Sequence, residues 1–188
     1  MYTVNGGGGT SDAVIEYILT TPYDISTAIV NNTKGVSRGG STEATQVVFN
    51  NDGTKMFIVN HAGVKTIDYW SLSTAFDIST ATFDDEYDIS GQEKRANSIA
   101  FNNDGTRMIV AGAGGGSHHR IHEYSLATPF DLSSTVTHLN TEDLSSSHNY
   151  IDGVTFNYDG TKMYTIRGSE HDNKISQFKL TTPYDVST

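Results

Sequence analysis

The sequence contains no cysteine. Disulfide frameworks, thiolate zinc centres, iron–sulfur clusters and cysteine nucleophiles are therefore excluded. It has no apolar run approaching the length of a membrane-spanning helix. Met1 to Asn5, followed by four glycines, offers neither a basic nor an apolar segment of the kind a signal peptide needs. Positive charge is scarce, with 12 Lys and Arg against 22 Asp and Glu and a net charge of -10. Such a chain lacks the electrostatic footprint of a nucleic-acid binder. Proline occurs only 3 times. What is plentiful is Thr, Ser and Gly, which favour strands and turns over helices.

The rest of the content is organised by a repeat, the first thing to test in such a sequence. Phe49-Asn50-Asn51-Asp52-Gly53-Thr54-Lys55-Met56 returns as Phe101 to Met108 and as Phe156 to Met163, with Met-to-Met spacings of 52 and 55. A second phrase, Leu19-Thr20-Thr21-Pro22-Tyr23-Asp24-Ile25-Ser26-Thr27, returns from Leu72, Leu126 and Leu180 at spacings of 53, 54 and 54. Two independent phrases sharing one period define a unit. Met1-Tyr2-Thr3-Val4 matches Met163-Tyr164-Thr165-Ile166, so the chain starts and stops in mid-repeat.

Each unit reads as four short strands. An apolar strand ends in Phe, and Asn-Asp-Gly follows as a hairpin signal because Gly accepts positive φ. A second strand starts at Lys or Arg, as at Lys55, Arg107 and Lys162. A third carries Ile67, Trp70 and Leu72, or Ile121, Tyr124 and Leu126, or Ile175, Phe178 and Leu180. Offsets of three and two place these on both faces of a strand, so both faces are expected to be buried. A weaker fourth strand follows the Thr-Pro-aromatic-Asp turn. Phe49, Phe101, Phe156, Trp70, Tyr124 and Phe178 are the expected buried rings.

Antiparallel four-stranded units with both faces covered describe propeller blades. The fold class expected is all-β, a β-propeller of four-stranded antiparallel blades of about 54 residues, about three and a half repeats in all. The array divides into a partial blade at 1–41, blades at 42–92 and 93–148, and a partial blade at 149–188. An open β-solenoid is the alternative. The string Phe-Asn-x-Asp-Gly-Thr-Lys/Arg-Met with Ile-x-x-Tyr/Trp/Phe-x-Leu resembles the YVTN repeats of bacterial surface proteins and lactonase-like propellers. Thr-Pro-Tyr/Phe-Asp-Ile/Leu-Ser is similar to propeller-like repeats in phage and bacterial surface structural proteins. The resemblance covers nearly the whole chain and implies a repeat type, not an activity.

Candidate sites are few. The Asn-x-Asp-Gly-Thr segments lack the six or more oxygen ligands of a calcium loop and read as self-capped turns. Asp24, Asp77, Asp131 and Asp185 recur in every unit, which suits structure better than catalysis. His118, His119, His122 and Glu123 are the densest group of possible metal ligands. Alternation puts His122 and Glu123 on opposite faces, so no metal site is assigned. His171 with Glu170 and Asp172 reads as a solvated hairpin tip. Gly6 to Gly9 and Gly112 to Gly116 precede strands rather than helices and are not phosphate cradles. Asp84-Asp85-Glu86 and Glu142-Asp143 fall on the fourth strand, where charge blunts edge pairing. The sequon Asn31-Asn32-Thr33 falls between units.

Ligands of propellers meet residues leading into the innermost strand, which here are Gln46, Asn97 and Asp152. They are the candidate ligand-binding residues, with no catalytic residue and no cofactor expected. The function expected is a non-enzymatic structural or binding module of an extracellular, cell-surface or virion protein. Its partner is another protein or further copies of itself, with a glycan as the other candidate and neither nucleic acid nor membrane insertion. A lactonase-like or lyase-like enzyme and a carbohydrate-binding propeller are the alternatives. The ends read as cuts through a longer array or as surfaces that pair with a neighbouring chain.

Overall fold

The computed structural model describes residues 1–6, 11–38, 43–61, 63–112, 119–146, 150–167 and 173–188. It divides into two compact units, Met1–Glu86 and Tyr87–Thr188. The first holds a three-stranded sheet of β1 (Tyr2–Asn5), β2 (Ala13–Leu19) and β3 (Ala28–Gly35). It also holds β4 (Ala44–Phe49), β5 (Lys55–Asn60), β6 (Thr66–Leu72) and β7 (Ala81–Asp88), a four-stranded sheet whose last strand ends just past the unit. The second unit holds the four-stranded sheet of β8 (Ala96–Phe101), β9 (Arg107–Gly112), β10 (Arg120–Leu126) and β11 (Val136–Asp143). Its other sheet joins β12 (Gly153–Phe156), β13 (Lys162–Arg167) and β14 (Lys174–Lys179). Every sheet is an antiparallel meander in chain order.

Two turns set each repeat. Gly53, Gly105 and Gly160 lie at φ 73°, 72° and 70°, the left-handed conformation expected of hairpin glycines. Beside them, Asp52, Asp104 and Asp159 each accept the backbone N–H of the Thr two residues on at 3.0 Å. The Thr-Pro-aromatic-Asp turn, with Ala75 in place of Pro in the copy at Phe76, puts its aromatic residue in the left-handed region as well: Phe76, Phe130 and Tyr184 lie at φ 62°, 53° and 60°. An L-residue there costs about 1–2 kcal/mol. The cost is offset locally, because each aromatic N–H donates to the carbonyl of its turn glycine at 2.9 Å. Each ring covers that glycine so closely that a Cβ would collide with it. The two turns of one repeat thus mate, and glycine is required there twice over. Asp24, Asp77, Asp131 and Asp185 accept the Ser N–H two residues on at 3.0 Å, which closes the turn.

Each unit has its own core. In the first, Val14, Met56, Ile58, Trp70, Leu72 and Ile78 interlock. In the second, Ile109, Ile121, Ile151, Met163, Leu180 and Val186 do so. Of the rings expected inside, Trp70 and Tyr124 are buried, whereas Phe49, Phe101, Phe156 and Phe178 are half-buried. The three strand-ending Phe rings sit at a rim and stack on the turn aromatics: Phe49 on Phe76 at 5.7 Å, Phe101 on Phe130 at 5.2 Å, Phe156 on Tyr184 at 5.3 Å.

Two expectations are corrected. Ile175 is 70 % exposed, so β14 buries one face and not both. Its Phe178 and Leu180 face the core of the second unit, while Ile175 and its cross-strand partner Ile166 lie on the bare side. The sequon lies within β3 rather than between units. Register slips there, with Asn32 opposite Glu16 and Val30 opposite Tyr17, which makes Asn31 the bulged residue.

Candidate functional site

Gln46 and Asn97 occupy the leading parts of β4 and β8, and Asp152 stands just before β12, in different surroundings. Asn97 and Asp152 each precede their strand-ending Phe by four residues, and Gln46 precedes Phe49 by three, so Thr45 is the true counterpart. Thr45 and Asn97 are the bulged residues of β4 and β8. Asn97 is buried, and its Nδ2 donates to the carbonyl of Ile151 at 2.7 Å, tying two sheets of the second unit together. Asp152 is exposed, and its backbone N–H donates to Ile166 at 2.9 Å. Gln46 is half-buried opposite Val59.

His118, Glu170, His171 and Asp172 lie outside the described residues, as do Gly7 to Gly9 and Gly114 to Gly116. His122 and Glu123 diverge as strand alternation requires. Glu123 is fully buried, ion-paired with Arg107, and accepts Asn140 Nδ2 and the Val186 N–H, each at 3.2 Å. His122 belongs to a second polar group on the other face of β10, and that group is the chemically richest place in the described residues.

Its parts come from three segments. The 89–95 loop delivers Glu93, fully buried, with one carboxylate oxygen accepting the Arg95 N–H at 2.8 Å. The other oxygen faces His122 Nε2 at 3.6 Å. β10 delivers His122 and Tyr124, both buried. β11 delivers Thr141, whose hydroxyl lies 2.9 Å from His122 Nδ1 and 2.9 Å from His138 Nε2. Thr141 and His138 are exposed, so the group runs from the interior to the surface. Glu93 Oε2, His122 Nε2 and Tyr124 Oη have no hydrogen-bond partner among the described residues. Burial, then Tyr87 and Glu93, hold the Tyr124 phenol protonated well above its usual range. Partial burial, then His122, pushes the His138 imidazole below its ordinary value.

Carboxylate, imidazole and hydroxyl in line resemble a nucleophile relay, but the geometry falls short of one. The carboxylate gap exceeds hydrogen-bond range. One hydroxyl proton serves two imidazoles, so Thr141 is a bridge between histidines rather than a freed nucleophile. Among the described residues no three His, Asp or Glu side chains gather to hold a metal ion.

The sequence reading missed Glu93, which sits in a loop without periodicity. The repeat itself was the available signal. The preceding loop of the same kind delivers Arg38 to Asp68, the counterpart of His122 on β6. Arg38 lies 3.6 Å from Asp68, 2.8 Å from Glu86 and 3.3 Å from the Phe83 ring centre.

No protein-family model matches the chain, and no curated protein sequence matches it. Solved structures do. A putative 6-phosphogluconolactonase from Bacteroides uniformis is similar over 92 % of this chain and 50 % of its own, at 8 % identity and a TM-score of 0.58. The Cps50 (Swd1) β-propeller domain of Myceliophteria thermophila matches over 96 % of this chain and 50 % of its own, at 11 % identity and 0.54. Sqt1 from Chaetomium thermophilum matches over 94 % and 40 %, at 16 % identity and 0.52. The fold is of the β-propeller kind. The chain spans about half the length of these structures or less.

Proposed function

We propose that the chain is a non-enzymatic binding module built from propeller blades, with a protein as its partner and an extracellular, cell-surface or virion setting. One observation carries the binding reading: the β2–β3 side of the first unit is apolar and bare. Ile18 and Ile29 pair directly across the strands and are 52 % and 59 % exposed, with Val30 next along β3 at 56 %. Ile25 is 73 % exposed although its counterparts Ile78, Leu132 and Val186 are at 0 %, 4 % and 4 %. Strand alternation puts Val30 on the face opposite Ile29, so this edge ribbon exposes apolar side chains on both faces, and such exposure gathered on one element marks an interaction surface more often than an idle one. The surface setting draws on the likeness of the repeat phrases to those of surface and virion structural proteins.

The test is a photo-crosslinker at Val30, applied to cell-surface extract. Capture of a defined protein, lost with Ile18→Glu and Ile29→Glu, is the expected result. Glycan binding in its place overturns the protein partner. Turnover of 6-phosphogluconolactone that disappears in His122→Ala overturns the non-enzymatic reading.

A further inference from the structure

We infer that His122 and His138, bridged by Thr141, form a binding site for a nitrogen-favouring divalent cation such as Zn²⁺, with Glu93 as the positioning residue behind His122. The site lies wholly within the second unit and goes beyond the protein-binding reading above, on which it does not depend.

Two imidazole nitrogens converge on one point. His122 Nδ1 and His138 Nε2 each lie 2.9 Å from the Thr141 hydroxyl, and the ring centres are 5.7 Å apart. A hydroxyl has one proton to give. It satisfies one imidazole lone pair, and the second ring must turn its own proton inward or go without a partner. A cation accepts both lone pairs at once. Imidazole nitrogen is a donor that suits zinc, copper and nickel.

What stands behind His122 points the same way. Its Nε2 faces Glu93 Oε2 at 3.6 Å, and both atoms are buried without a hydrogen-bond partner among the described residues. A fully buried carboxylate on that side favours the imidazole proton on Nε2, which leaves the Nδ1 lone pair facing Thr141. Metal-bound histidines are supported in this way, by a carboxylate or carbonyl beside the ring nitrogen that the metal does not use. Thr141 and His138 are exposed, so a cation reaches the place from solvent and keeps open positions for water.

The fold itself asks for neither imidazole. In the first unit the equivalent places hold Asp68 and Phe83. Phe83 packs edge-on against Trp70 just as His138 packs against Tyr124, at 5.3 Å in both. A plain ring therefore fills the His138 position, and the nitrogen aimed at Thr141 is chemistry beyond packing. The counterpart of Thr141 there is Glu86.

The experiment titrates the intact chain with Zn²⁺ alone and follows the imidazole nitrogens by NMR. Saturable binding that shifts His122 Nδ1 and His138 Nε2 is the expected result. His138→Phe copies Phe83, keeps the ring contact with Tyr124, and should abolish these shifts in a chain whose amide spectrum stays folded. Glu93→Gln should weaken binding by about tenfold or more. Thr141→Glu copies Glu86, adds a carboxylate ligand, and should tighten it. Shifts confined to other histidines overturn the proposal, and so does equal binding by the unaltered chain and His138→Phe. Unchanged affinity in Glu93→Gln overturns the positioning role of that carboxylate.

Discussion

β6 and β10 occupy the same place in successive repeats, and the loops that reach them deliver side chains of opposite charge. In the first unit a loop arginine, Arg38, reaches a buried acid, Asp68, and is closed over by Glu86 and Phe83. In the second a loop acid, Glu93, reaches a buried imidazole, His122, and is closed over by Thr141 and His138. Phe83 meets Trp70 edge-on at 5.3 Å, and His138 meets Tyr124 edge-on at 5.3 Å. The backbone holds the geometry while the loop residue changes from a cation to an acid. In these two repeats the third residue of this strand meets a polar side chain from the preceding loop, and the charge that the loop delivers differs between them.

The strongest way to break the likeness is through the two large rings. Trp70→Ala and Tyr124→Ala should each cost about 3–5 kcal/mol, because both empty a packed core site. Denaturant unfolding followed by exchange within each unit would measure this, and a large inequality between the two would end the claim of equivalence. Next in size is Arg38→Met. It leaves Asp68 buried without its cation and should destabilise the first unit by about 3 kcal/mol. Glu93→Gln keeps an oxygen for the Arg95 N–H, and should cost the second unit only about 1 kcal/mol.

The two units should also answer acid with opposite signs. Burial raises the Asp68 carboxyl above 3.8, against its bonds from Thr66 and Asn60. The folded state thus prefers it protonated. That contribution is complete below 3.8 and is lost as pH rises through the raised value. His138 is lowered below 6.5, so its contribution is complete above 6.5 and is lost as pH falls through the lowered value. Within its own range, Asp68→Asn should flatten the dependence of the first unit and His138→Phe that of the second. Exchange rates by unit that ignore both variants would refute the assignment. The smallest effect is expected from Tyr124→Phe. It removes a buried hydroxyl with no partner among the described residues, and should be neutral or stabilising by up to about 1 kcal/mol.

The repeat, its strands and its hairpin glycines were legible because they rest on local chemistry. Gly53, Gly105 and Gly160 announce positive φ through Asn-x-Asp-Gly and Thr, and the strand bounds follow from apolar runs between turns. The left-handed Phe76, Phe130 and Tyr184 were not legible, since no local preference puts an aromatic L-residue there and only the mating glycine explains it. Asn97 stands out in the sequence because the position differs between repeats, but its bulge and its bond to Ile151 depend on strand pairing that no local pattern shows. Glu93 left no signal of period. Ile175 shows the limit of pattern reading: its residue type belongs to the buried position that Ile67 and Ile121 fill, but burial depends on what lies opposite.

The Asp-Gly turns have one more consequence, for the chemical lifetime of the chain. Asp-Gly is prone to isoaspartate formation, in which the glycine nitrogen attacks the aspartate side-chain carbon to close a five-membered ring. In the folded repeat that nitrogen is occupied: Gly53, Gly105 and Gly160 donate to the carbonyls of Asn50, Asn102 and Asn157 at 3.2, 3.1 and 3.0 Å. The carboxylate is held away by its Thr, and the aromatic ring covers the glycine from above. Three of the most perishable bonds in the sequence are thereby kept from ageing for as long as each blade stays closed, and their decay would act as a clock for the time the chain spends open.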